Sequence, residues 1–139
     1  MHRLATLLIA CSSLAVISAA IAADAPAAAS ADQEVATALQ HAGMSAGSSK
    51  LEDVHAHLHH VINCLVGPSG QGFDATAEDP CKGQGNGAIS DMDSKSPRRM
   101  KLDEAVKDAG KGLKENDLKK AQDDAKDVMK DLEDAQKAK

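Results

Sequence analysis

The chain has 139 residues, enough for one domain, and a formal net charge of −5. It contains one phenylalanine and no tyrosine or tryptophan. It therefore lacks both the basic face that phosphates require and the aromatic platforms on which single strands stack, which argues against nucleic-acid binding.

Met1-His2-Arg3 is a short basic start, and Leu4 to Ile21 is apolar with interspersed serines. Ala20-Ile21-Ala22 fits a small-x-small cleavage pattern, with Ile21-Ala22-Ala23 as an alternative one step later. Residues 1–22 thus read as a secretory signal peptide, which makes the mature protein periplasmic or secreted and leaves it no membrane segment. A retained anchor is the competing reading, because the apolar run approaches spanning length. Leu8-Ile9-Ala10-Cys11 also resembles a lipoprotein cleavage box, behind an unusually short apolar stretch. Cleavage after residue 22 removes Arg3 and no acid, so the formal charge moves from −5 to −6.

Residues 23–31, rich in Ala, Pro and Ser, read as a flexible leader to a helical domain over 32–139. A first helix is expected from about Ser30 to Asp32, with Asp32 and Glu34 in its first turn, where the helix dipole favours acids. Val35, Ala38, Leu39, Ala42 and Ala46 form its apolar stripe, and Gly47-Ser48-Ser49 reads as a turn. Ser49-Lys50-Leu51-Glu52 has the form of a capping box, with Ser49 as N-cap of a second helix ending at Val66 before Gly67-Pro68. Leu51, Val54, Leu58, Val61 and Leu65 repeat at three-four spacing, the rhythm of a helix packed on other helices.

Residues 67–96 differ in kind, with six glycines between Gly67 and Gly87 and prolines at 68 and 80. A loop this long inside a compact domain should be functional or tied down. After cleavage the remaining cysteines are Cys64 and Cys81, and two cysteines in an exported chain are expected to pair. Such a bridge would tie the loop's middle to the end of helix two, with Phe73 and Ile89 tucking onto the bundle. The alternative makes Cys64 a metal ligand. Gly83-Gln84-Gly85-Asn86-Gly87 is not a phosphate loop, since no strand precedes it and no Lys-Ser/Thr follows. Ser96-Pro97 opens a third helix to about Lys114, carrying Leu102, Ala105, Val106, Ala109 and Leu113 on one face. Asn116-Asp117 is the turn and cap. A fourth helix then carries Leu118, Ala121, Ala125, Val128, Leu132 and Ala135, with a Lys/Asp face that reads as solvated.

Sliding the chain by 67 positions sets Ala38 on Ala105, Ala42 on Ala109, Gly43 on Gly110, Leu51 on Leu118, Val61 on Val128 and Leu65 on Leu132. The expected fold is therefore all-α: a four-helix bundle from two repeated helical hairpins, 32–66 and 97–136, separated by a Gly-rich disulfide-tied loop. The repeat leaves out the histidines. His41 falls on Asp108, His55 on Gln122, His57 on Asp124, His59 on Lys126 and His60 on Asp127.

Four of the six histidines lie within six residues of helix two. At 100° per residue, with Leu58 facing the core, His55 and His59 fall on one flank and His57 and His60 on the other. Both spacings let two imidazoles chelate one ion from a single helix. Asp53 joins the His57/His60 pair, Glu52 lies near the other, and His41 on helix one can complete either. Neutral imidazole suits copper, zinc and nickel, so a divalent transition metal ion is the expected cofactor. The four methionines beyond the signal region form no cluster.

An Ala-rich hairpin repeated once, a Gly-containing turn, an export signal and His on the helices together resemble the small metal-binding proteins of the bacterial periplasm. The resemblance covers 32–66 and 97–136. It implies a compact bundle that binds several divalent ions, copper among them, without known catalysis. Two features depart from that pattern: the second hairpin has no histidine, and the Gly-rich Cys81 segment has no counterpart there. No nucleophile is placed with a base by a recognisable motif, and no haem-attachment signature occurs, so an enzyme is not expected. The expected protein is a monomeric exported metal buffer or carrier. The alternative is a non-metal interaction module of the cell envelope that binds through the Gly-rich loop.

Overall fold

A computed structural model describes residues 27–138, with side chains from Ser30 onward. The expected signal peptide and the leader up to residue 26 lie outside the described residues. Four helices occur, α1 (Ala27–Gly47), α2 (Leu51–Val66), α3 (Pro97–Gly112) and α4 (Leu118–Lys137), with no strand among the described residues. Each helix packs on the next in sequence, α1 also packs on α4, and α2 meets α4 across the middle.

The three-four stripes are the core. Leu58, Leu65, Leu102 and Leu132 are its largest fully buried apolar side chains, joined by Val35, Val54, Val61 and Val128. The remaining positions are largely alanine (Ala38, Ala42, Ala105, Ala109, Ala121, Ala125 and Ala135). Burying each Leu or Val stabilises by roughly 1.5–3 kcal/mol, whereas Ala mainly lets helices approach closely.

Several ends differ from the sequence reading. α1 begins at Ala27, so residues 27–31 of the expected leader are helical. Ser49 is not the N-cap of α2: extended Lys50 occupies that position, with no side-chain capping bond. The first α2 turn closes instead through Val54 N–H donating to Lys50 O at 3.1 Å. Ser96 does precede Pro97 as N-cap of α3, again without a side-chain bond. Asp117 caps α4 by accepting from Lys120 N–H. The polar face of α4 is not wholly solvated: Asp124 and Asp131 are buried, and they pair with Lys111 and Lys101 of α3.

Segment 67–96 folds back onto the end of α2. The last carbonyls of a helix have no partner within it. Here Ala88 N–H donates to Cys64 O at 3.2 Å and Ile89 N–H to Leu65 O at 2.9 Å. Gly67 and Gly87 make that approach possible, both at positive φ (67° and 106°). A Cβ on Gly67 would sit 1.8 Å from Asn86 O, and one on Gly87 would sit 2.5 Å from Gly67 N. The Cys64–Cys81 disulfide is formed. Cys81 and Ala88 lie in the core, and Phe73 and Ile89 pack against it.

Candidate metal centre

Three histidines from two helices converge. His57 and His60, at i,i+3 on α2, share the flank that faces α1, and His41 of α1 meets them there. His41 Nδ1 lies 3.3 Å from His57 Nδ1 and 3.2 Å from His60 Nδ1. The rings are edge-on or tilted to one another, with centroids 4.9–5.5 Å apart. One nitrogen from each residue lies within 4.8 Å of the other two, and all three side chains are half-buried.

That spacing has a chemical meaning. A tetrahedral ion with metal–nitrogen bonds of about 2.0–2.1 Å holds its ligand nitrogens about 3.3–3.4 Å apart. A neutral imidazole carries one N–H and one lone pair, so His41 Nδ1 can satisfy only one of its two neighbours by hydrogen bonding. A cation at the centre would satisfy all three lone pairs at once. Burial, then the neighbouring imidazoles His60 and His57, hold the His41 pKa below its ordinary value; the Glu78 carboxylate opposes them. His60 is lowered chiefly by burial and then by His57. Both shifts keep the rings in the neutral, ligating form near pH 7.

The other expected ligands go elsewhere. His55 Nε2 lies 3.1 Å from the Glu115 carbonyl in the α3–α4 connection, to which it donates. His59 Nδ1 lies 3.2 Å from Asp74 Oδ2 in segment 67–96. The i,i+4 pair is thus divided between two neighbours. Asp53 is exposed and is not in the three-histidine cluster. Cys64 is in the disulfide.

Asn63, one turn after His60, organises the side of the site formed by segment 67–96. Its amide donates to Asp74 O at 3.0 Å and Glu78 O at 3.2 Å, and its Oδ1 accepts from Asp74 N–H at 2.8 Å. It is buried, and it sets the stretch that carries Asp74 and Glu78 beside the histidines. Sequence reasoning missed Asn63 and Glu78. The one signal was a polar residue inside the apolar run Val61-Ile62-Asn63-Cys64-Leu65-Val66. Such a residue needs partners once buried.

The chain matches no protein-family model, no curated protein and no solved structure. Function therefore has to be read from the chemistry of the site itself. Among the described residues, no helix is long and apolar enough to cross a membrane.

Proposed function

We propose that this protein binds a divalent transition metal ion through His41, His57 and His60, and acts as an exported buffer or carrier of copper, zinc or nickel. The observation that carries the reading is the approach of His57 Nδ1 and His60 Nδ1 to within 3.3 and 3.2 Å of His41 Nδ1. Three imidazoles with an open fourth position suit Zn(II) and Cu(II). The Cys64–Cys81 disulfide supports an oxidising compartment, in keeping with periplasmic or secreted placement. Buried Ala38, Ala42, Val61 and Leu65 correspond to buried Ala105, Ala109, Val128 and Leu132 at the 67-residue offset. That correspondence supports a duplicated hairpin of which only the first copy carries a site.

Calorimetric titration of Cu(II), Zn(II) and Ni(II) tests the proposal. It expects a one-ion isotherm tighter than about 100 µM, lost when His57 and His60 are both changed to Ala and kept when His55 and His59 are. Binding that survives loss of His57 and His60 would refute it.

The alternative, an interaction module using segment 67–96, finds support in the open cleft lined by Pro68, Phe73, Glu78 and Lys82. Deleting the segment would not test it, because Cys81, Gly87 and Ala88 are buried in the bundle. A Phe73→Ser change at the cleft separates the two readings: it leaves metal binding intact and weakens partner capture if the module reading holds.

A further inference from the structure

A small cavity lies where segment 67–96 meets α1 and the end of α2. It encloses about 50 Å³ and is lined by Glu34 of α1, by Asn63, Asp79 and Lys82, and by Gly83, Gly85 and Gly87. That is room for an ion with a water or two. Glu34 is only 1% exposed. Its Oε1 accepts from Gly87 N–H at 2.9 Å, but its Oε2 is buried without any hydrogen-bond partner among the described residues. An unpaired buried carboxylate oxygen is costly, and its neighbours make it worse: Asp79 and Asp91 both act on Glu34 as like charges. A Cβ on Gly85 would lie 2.3 Å from Asp91 Oδ2 and 2.9 Å from Glu34 Oε1, so only glycine leaves the space between those carboxylates open. Lys82, the cation in the wall, is exposed and makes no ion pair among the described residues.

We propose that this cavity is a site for a hard divalent cation of the calcium class, held by the Glu34 carboxylate with Asp79 and the glycine backbone of the wall; Asp91, whose two oxygens accept from Asn86 outside the lining, contributes charge and not a ligand. The donors are oxygens, with no imidazole or thiolate, since the one nearby sulfur pair is a disulfide. Oxygen donors suit Ca²⁺ or Mg²⁺ and not the ions that the three-histidine cluster would take. The cation satisfies Oε2 and offsets the carboxylate repulsion that the fold otherwise carries. It also ties α1 to the segment through the same side chain that holds Gly87.

The test is calorimetric titration of the purified protein with Ca²⁺ and with Mg²⁺ after chelator treatment, alongside Glu34→Gln, Asp79→Asn and the double His57→Ala/His60→Ala variant. Glu34→Gln keeps an oxygen to accept from Gly87 N–H, and circular dichroism checks that it folds. The expected result is a Kd below about 1 mM for at least one of the two ions. Affinity should fall at least tenfold in Glu34→Gln, weaken in Asp79→Asn, and stay unchanged in the double His variant. The proposal is overturned if neither ion gives heat or a melting shift up to about 10 mM, well above the weak end of such sites. Full binding in Glu34→Gln would overturn it equally.

Discussion

Glu34→Gln should make the protein more stable at neutral pH in the absence of divalent ions, and the gain should vanish in acid. Burial raises the Glu34 pKa from 4.5 to about 7, with Asp91 and Asp79 adding to it and the Gly87 hydrogen bond opposing it. Below pH 4.5 the carboxyl is protonated in both the folded and the unfolded chain, and burial carries no ionic cost. Between 4.5 and 7 the unfolded chain releases its proton and the folded chain keeps it, so stability falls as pH rises. Above 7 the folded state holds the anion and bears the whole penalty, about 3 kcal/mol for a shift of this size. Glutamine has no such term. The difference in melting temperature between variant and wild type should therefore grow from near zero at pH 4.5 to roughly 10 °C at pH 8. His41 and His60, whose pKa values are lowered, contribute stability that is lost as pH falls below 6.5. They titrate alike in both proteins and cancel in the difference. Thermal melts of both proteins in chelator across this range are the assay. A pH-independent difference, or a wild type that gains on the variant as pH rises, would mean that the fold does not penalise the Glu34 carboxylate.

Metal affinity at the three-histidine cluster should hold from pH 8 to about 6.5 and fall below about pH 6, as protons compete for the imidazole nitrogens; titrations at stepped pH follow it. Replacing Cys64 and Cys81 together by Ser should lower stability by about 3 kcal/mol, since the bridge closes a 17-residue separation; urea denaturation measures it. Gly67→Ala should destabilise by more than about 2 kcal/mol, because the positive φ is strained for Ala and the new Cβ would overlap Asn86 O. Gly83→Ala offers the matched control: φ is also positive there, but nothing lies within 4 Å of the new Cβ. Its loss in the same assay should be clearly smaller.

The helices were legible because apolar spacing alone fixes which face is buried: α2 buries the stripe Val54, Leu58, Val61 and Leu65 and ends at Val66 as expected. The wheel also placed His57 and His60 together, because residues three apart on one helix share a flank wherever that helix packs. What it could not supply was the neighbour each flank would meet. His55 and His59 share a flank too, yet Glu115 O and Asp74 capture them separately. His41 was assignable only once the hairpin's hand was known. Asp53, a turn before His57, was expected among the ligands, but it sits exposed outside the cluster. The Ser49 cap failed for a local reason, since the helix starts one residue later and Lys50 takes the cap position. In the sequence Glu34 looks like an ordinary first-turn acid. Its burial depends on Gly87, which is 53 residues away and reaches Glu34 only through the fold of segment 67–96.

Anomalous diffraction from crystals grown with Zn²⁺ tests the metal reading most directly. A peak is expected within about 2.0–2.1 Å of a nitrogen from each of His41, His57 and His60. A strong peak at His55 or His59 with none among those three would contradict it.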